Sequence, residues 1–173
     1  MAYIDQFLGK RVTIPEDRFY YSRLGLWAKP KDAAIVFGLT EPALVLSGGI
    51  ISIDWLTTDG QTMHQGETVV FAITGKIAYI DTPIEGTIYF NDAVKANPEL
   101  IQNDPYENGW LFKIIPGTPL EDAFRSFIDY SGYLESLRGS EGFKNPKGLK
   151  GGVSGICKAV YSGIREQKIQ DER

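Results

Sequence analysis

Two short apolar runs, separated by a glycine and a lysine, constrain the fold of this chain more than any other feature. Residues 69–74 and 77–81 have the length and the β-branched and aromatic content of strands, and Gly75-Lys76 separates them. Such a short break that contains glycine predicts a β-hairpin. Glycine suits a tight turn because it tolerates positive φ, so we expect Lys76 at an exposed hairpin tip.

Several other segments have strand character and are bounded by turn residues. Lys29-Pro30-Lys31-Asp32 is predicted as a turn, since proline and aspartate interrupt strands. The predicted strands are residues 19–28, 34–40, 50–56, 86–90 and 109–115. We therefore expect a mainly β fold with some helix, and residues 1–18 as a lead-in segment.

Helical patterns are fewer. Thr40 and Pro42 predict the start of a short helix, and residues 91–102 a helical turn. Residues 120–137 place apolar side chains at helical spacing, and Gly132 predicts a break in that helix.

The C-terminal part differs in composition from the rest of the chain. Residues 139–152 are rich in glycine and lysine, which is typical of a flexible linker. Residues 153–173 contain the spacing of an amphipathic helix. The predicted organisation is a domain over residues 1–138, a linker over 139–152 and a helix over 153–173.

The net charge of −4 argues against nucleic-acid partners and anionic membranes, both of which recruit lysine and arginine. Cys157 is the only cysteine, so no internal disulfide can form and a reducing compartment is the simpler expectation. No apolar run is long enough for a signal peptide core or a membrane span. A cytoplasmic location is expected.

His64 is the only histidine, and its polar flank predicts a turn between strands. A histidine-based metal site or nucleophile system is therefore not expected. Asp104 and Glu107 are close enough in sequence to be considered as a carboxylate pair. Asp104-Pro105 is more typical of a loop, and Glu107 of a solvated side chain. Since no catalytic motif is present, the chain is not expected to be an enzyme.

One stretch after the predicted hairpin is highly specific. It begins with Asn97-Pro98-Glu99-Leu100-Ile101, continues with Asn103-Asp104-Pro105-Tyr106, and ends with Gly109-Trp110-Leu111-Phe112-Lys113-Ile114. This stretch resembles the segment NPEL-(V/I)-N-x-DPY-x-x-GWL-x-K-I of glycine cleavage system H proteins. Residues 83–88, Gly60, Gly66, Trp27 and residues 38–40 extend the resemblance to roughly residues 15–137.

The resemblance implies a flattened β-sandwich of the lipoyl/biotinyl hybrid-barrel type, with a lipoyl-type hairpin and C-terminal helices. It also implies a carrier whose lipoate is bound covalently to Lys76, the position of the family's lipoyl lysine. The implied partners are the glycine decarboxylase, the aminomethyltransferase, dihydrolipoyl dehydrogenase and a lipoate ligase.

The hairpin departs from the family's pattern at several points. Ile73 stands where the family usually has Glu, and Tyr79 or Ile80 replaces an acidic residue that often follows the lysine. The spacing from Lys76 to Pro83 is one residue shorter than the corresponding spacing in the family. Counting back from Pro83 by the family's spacing would place Gly75 at the tip. Two alternatives therefore stay open: a carrier in lipoate-dependent sulfur oxidation, and an unlipoylated binding or scaffold module.

Overall fold

The computed structural model describes residues 1–149, which form eleven strands and six short α-helices. The strands are β1 (Ala2–Phe7), β2 (Lys10–Ile14), β3 (Phe19–Tyr21), β4 (Leu26–Lys31), β5 (Ala34–Leu39), β6 (Ser52–Trp55), β7 (Gln61–Met63), β8 (Thr68–Ile73), β9 (Ile77–Asp81), β10 (Gly86–Phe90) and β11 (Phe112–Pro116). The helices are α1 (Glu41–Ser47), α2 (Asp92–Ala96), α3 (Glu99–Asn103), α4 (Leu120–Ala123), α5 (Tyr130–Ser136) and α6 (Glu141–Lys144).

The strands form three antiparallel sheets. The largest has the order β3-β4-β5-β11-β10-β7, the second has the order β6-β8-β9, and β1 pairs with β2. Within residues 1–149 no sheet closes into a barrel. The predicted mainly β fold with C-terminal helices is confirmed, as an open sandwich.

The main core lies between the six-stranded and the three-stranded sheets. Phe37, Ile88 and Ile114 enter it from the larger sheet, and Val70 and Ala72 from the smaller one, all at most 1% exposed. Strands β10 and β11 alternate buried and more exposed residues, as a sheet with one face on the core requires. The smaller sheet is thus a packed base for the hairpin that it contains.

The predicted lead-in segment is wrong, because residues 2–14 form the β1–β2 hairpin. Its turn residues Leu8 and Gly9 both have positive φ, 53° and 82°. Tight hairpin turns are usually marked by glycine or asparagine, and leucine at the first position hides the signal. Phe7 and Ile14 of this hairpin are fully buried in a second core cluster.

The predicted turn at residues 29–32 is also displaced. Strand β4 continues through Pro30 to Lys31, and Asp32 turns the chain with a φ of 56°. Strand β3 pairs with β4 only as far as Ala28, so Pro30 meets a neighbour on one side alone. A proline without a backbone N–H is tolerated at such an edge.

The predicted helix over residues 120–137 is interrupted, but not at Gly132. After α4 and a 3₁₀ turn (Phe124–Ser126), Phe127 is extended, and α5 begins after Asp129. Ile128 exchanges two backbone hydrogen bonds with Tyr20 of β3, at 2.8 and 3.0 Å, and this pairing breaks the helix. Gly132 lies within α5, where its N–H donates to the Asp129 cap at 2.8 Å.

The composition of residues 139–152 predicts a linker, whereas the structure places α6 and a packed segment in residues 139–149. A Cβ on Gly142 would lie 2.2 Å from the Phe7 ring, and the Gly9 N–H donates to the Pro146 carbonyl at 2.7 Å. This segment therefore packs on the β1–β2 hairpin. The predicted helix over 153–173 and Cys157 lie outside the described residues, and the boundary at residue 138 stays a prediction.

Candidate functional site

The predicted hairpin is present as strands β8 and β9. Ile73 lies opposite Ile77 and Val70 opposite Ile80, and Thr74, Gly75 and Lys76 connect the strands. Strand β6 pairs with β8 on the other side of the hairpin, and just before β6 the Ile51 N–H donates to the Ile73 carbonyl at 2.8 Å. The connection therefore extends from a three-stranded, core-packed base.

Thr74 holds the backbone of Lys76 in place. Its N–H donates to the Lys76 carbonyl at 2.7 Å, and its hydroxyl donates to the same carbonyl at 3.2 Å. The same hydroxyl accepts a hydrogen bond from the Lys76 N–H at 3.3 Å. Thr74 is 3% exposed, whereas Lys76 is exposed, so the turn fixes the lysine's backbone and leaves its side chain in solvent.

Gly75 differs from expectation, because its φ is not in the left-handed region. A Cβ at this position would meet nothing within 4 Å. None of Thr74, Gly75 and Lys76 has a positive φ, so this three-residue connection differs from the usual form, in which one residue is left-handed. Because Gly75 has no side chain, the space beside Lys76 is open.

The outer face of the β8–β9 hairpin is apolar. Phe71 lies opposite Tyr79, as Ile73 lies opposite Ile77. Phe71 is half-buried, and the other three are 39% (Ile73), 58% (Ile77) and 59% (Tyr79) exposed. We call these four residues the hairpin face.

The residues considered for catalysis are not brought together. His64 is exposed, and its Nδ1 lies 3.5 Å from a carboxylate oxygen of Glu85. Asp104 accepts from the backbone and side-chain nitrogens of Asn108 at 3.0 and 2.8 Å, which confirms its predicted role in the loop. Across residues 1–149 no cluster of potential metal ligands occurs, and no helix there is both long and apolar enough for a membrane span.

The specific sequence stretch is hydrogen-bonded to the N-terminal part of the chain. The Trp27 indole N–H donates to the Pro105 carbonyl at 2.9 Å, and the Tyr106 hydroxyl donates to the Thr13 carbonyl at 2.5 Å. Arg18 is 5% exposed, donates to the Tyr106 carbonyl at 2.8 Å and lies 4.8 Å from the Trp27 ring. The stretch therefore stabilises the packing of the N-terminal strands. No local sequence pattern indicates this role of Arg18, which lies in the predicted lead-in segment.

Comparison with known proteins agrees with this architecture. The family model of the glycine cleavage H-protein matches residues 19–136. A "Glycine cleavage system H protein 5" of Aquifex aeolicus is 31% identical over 131 residues, 72% of this chain and 87% of the relative. The H protein of Anaeromyxobacter sp. strain K is 34% identical and covers 70% of this chain and 96% of its own length.

The chain belongs to the glycine cleavage H-protein family. A crystal structure of the H protein from Mycobacterium marinum superposes with a TM-score of 0.60 at 26% identity, and covers 71% of this chain and 98% of its own. H proteins are lipoyl carriers that hold lipoate covalently. The family match ends at residue 136, so α6 and the segment packed on β1–β2 lie beyond it.

Proposed function

We propose that this chain is a lipoyl carrier and that Lys76 is its attachment site. The observation that carries the proposal is an exposed lysine whose backbone is held by Thr74 on a packed β-hairpin. The residues present fit the group. The Gly75 side leaves open space, and among residues 1–149 no ion pair involves the Lys76 ammonium.

Attachment would need one condensation. The Lys76 Nζ forms an amide bond to the lipoyl carbonyl and loses a proton, while AMP leaves from the carboxylate that ATP has activated. The amide is neutral, so the lysine's positive charge is lost. When bound, the lipoyl dithiolane supplies reversible disulfide chemistry for carrying an aminomethyl group or reducing equivalents.

The protein's own part in carriage is to hold the arm's base and keep it accessible. The rigid hairpin fixes the position of the Lys76 Cα, and the lysine's long flexible stem supplies reach. Tethering raises the local concentration of the carried group at each partner site. We propose the glycine decarboxylase, the aminomethyltransferase and dihydrolipoyl dehydrogenase as those partners, a lipoate ligase as the modifying enzyme, and the cytoplasm as the location.

A second candidate is carriage in lipoate-dependent sulfur oxidation, and the hairpin face favours it. Ile73 and Tyr79 give the surface beside Lys76 a chemistry unlike the acidic pattern usual in the family. Partners that contact this surface would then differ from those of glycine cleavage. An unlipoylated scaffold module, the other alternative, would carry no adduct on Lys76.

Glycine-dependent carrier turnover separates these candidates. We expect the lipoylated chain to support turnover with purified decarboxylase, aminomethyltransferase and dehydrogenase, and Lys76→Ala to abolish it. Lys113→Ala, which changes an exposed strand lysine elsewhere, is the matched control and should retain turnover. A lipoylated wild-type chain that supports none would contradict the glycine cleavage assignment and favour the sulfur-oxidation carrier.

A further inference from the structure

The hairpin face is a compact apolar surface next to the proposed attachment lysine. Its two directly opposed pairs, Phe71 with Tyr79 and Ile73 with Ile77, lie on one side of the sheet. The Phe71 and Tyr79 rings meet edge to face, with centroids 5.7 Å apart. The alternate residues Val70, Ala72 and Ile80 point to the core, so this apolar content is additional to what the fold requires.

The position of the face in its sheet makes its exposure unusual. Strand β9 is the last strand of the sheet β6-β8-β9 in the described part of the chain, so the edge beside Ile77 and Tyr79 is open. Native proteins usually place charged residues or proline on such an edge, because an open apolar edge promotes aggregation. A grouped apolar surface of this kind is typical of an interaction site.

Two carboxylates lie at the rim of the face, because Asp54 pairs opposite Phe71 and Asp81 follows Tyr79 by two residues on β9. Asp54 on neighbouring β6 accepts from Lys95 at 2.8 Å, and this hydrogen bond keeps the pKa of Asp54 below its ordinary value. Asp81 accepts from the Thr68 hydroxyl at 2.7 Å. Lys76 is the only charged residue in the sequence from Ile73 to Tyr79. The four residues of the face thus match an apolar surface, with the two carboxylates at its rim.

We propose that a lipoate-attaching enzyme recognises this chain by docking an apolar wall on the hairpin face. The inference rests on the proposed attachment to Lys76. The short side chain of the unmodified lysine argues for this partner. The enzyme must bring the lysine amine into its active site before lipoate lengthens the arm, and so must cover the flanks of the hairpin. Partners that act after attachment meet a longer arm and can remain farther from β8 and β9.

The proposal makes the effect of one substitution diagnostic. Ile73→Glu introduces the acid that the family usually has three residues before the lysine. If the attaching enzyme recognises an acid here, the substitution speeds modification. Docking of an apolar wall predicts the opposite, since a carboxylate would lose its hydration against that wall.

The test measures the initial rate of modification of the full chain by purified lipoate ligase with lipoate and ATP, followed by intact mass. We expect Ile73→Glu and Tyr79→Ser to slow modification by on the order of tenfold, as loss of a central apolar contact does. Ile115→Glu is the matched control, because Ile115 is also a strand isoleucine, is 41% exposed against 39% for Ile73, and lies on the larger sheet. Its rate should stay within about twofold of wild type, since distant surface changes are nearly neutral.

The dependence of the modification rate on salt is an independent test. An apolar interface predicts a wild-type rate that changes by less than about twofold between roughly 0.05 and 0.5 M salt, where exposed charge pairs are progressively screened. Circular dichroism and thermal melting of each variant confirm that it is folded before rates are compared.

Four results would overturn the inference: a faster Ile73→Glu chain, equal slowing by Ile115→Glu, a steep fall of the wild-type rate with salt, or a wild-type dimer that Ile73→Glu dissociates. The last would show a second copy on the face. A wild-type chain that is never modified, while another H protein in the same assay is, removes the proposed function itself and this inference with it. If the wild-type chain is lipoylated, the rates of the variants test the docking inference alone and leave the proposed function unaffected.

Discussion

At the scale of single residues, the placement of Lys76 depends on Thr74 more than on the neighbouring glycine. One buried hydroxyl serves both the N–H and the carbonyl of Lys76, so both backbone groups of Lys76 are hydrogen-bonded within the turn. The backbone of Lys76 is thus fixed while its side chain remains exposed. Gly75 contributes open space and no positive φ.

Replacing Thr74 by valine keeps the branched shape and removes the hydroxyl. We expect the free energy of unfolding to fall by about 1–2 kcal/mol, because two hydrogen bonds in a buried position are lost. Urea unfolding of both chains measures the difference. Thr62→Val removes an exposed hydroxyl of β7, for which no hydrogen bond is found within residues 1–149, and should cost less than about 0.5 kcal/mol; equal losses would contradict the role assigned to Thr74.

At the scale of elements, the two hairpins show what sequence patterns can and cannot predict. The β8–β9 hairpin follows from two apolar runs and a short break, and the exposed position of Lys76 follows with it. Local patterns do not mark the β1–β2 hairpin, because Leu8 occupies a left-handed turn position that usually carries glycine or asparagine. The break before α5 was misplaced because it comes from pairing of Ile128 with the distant Tyr20, which local spacing does not contain.

Helix α6 supplies a test at this scale, since composition alone suggested a linker there. Phe143 meets Phe7 edge to face, with ring centroids 6.0 Å apart. We expect Phe143→Ala to lower the free energy of unfolding by about 1–3 kcal/mol through lost packing. Leu149→Ala, at a residue that is 66% exposed, is the control and should be nearly neutral; if the two variants unfold alike, α6 does not pack on β1.

At the scale of the whole molecule, buried tyrosines join the N-terminal strands to the C-terminal helices. Tyr20 of β3 stacks on Tyr133 of α5 with ring centroids 4.7 Å apart, and the Tyr133 hydroxyl lies 2.6 Å from the Thr40 hydroxyl. Burial raises the pKa of Tyr133 to about 12 and also raises the pKa values of Tyr20 and Tyr106. These contacts between distant segments could not be predicted from the sequence, whose patterns are local.

The raised pKa of Tyr133 predicts a loss of stability in alkali. Below pH 10, the ordinary tyrosine value, folded and unfolded chains both keep the proton and this contribution is fully present. Between pH 10 and about 12 the unfolded chain releases the proton while the folded chain retains it, so stability falls. Each such group contributes a slope of about 1.4 kcal/mol per pH unit.

Urea unfolding at several pH values through this range measures that slope. Tyr133→Phe removes one titrating group, and we expect its stability to fall less steeply with pH than that of the wild type. Tyr3→Phe, at a tyrosine that is 52% exposed, should leave the slope unchanged. A slope that is the same in all three chains would show that Tyr133 titrates alike in folded and unfolded protein.

The part of the site that depends on the whole folded molecule could not be predicted from the sequence. Lys76 could be proposed from the hairpin pattern and the family resemblance, both of which lie along the chain. The grouping of Phe71, Ile73, Ile77 and Tyr79 on one face depends on the β8–β9 register, and their exposure depends on what the sandwich covers. The hairpin face therefore required the structure.

The most direct test is the mass of the Lys76-containing peptide in protein purified from the native host. The account predicts that this peptide carries one lipoyl amide, and that a Lys76→Ala chain expressed there folds with unchanged thermal stability and carries none. Reproducible absence of the adduct on the wild-type peptide, while other lipoylated proteins of the same cells carry theirs, would contradict the assignment of Lys76 as the carrier lysine.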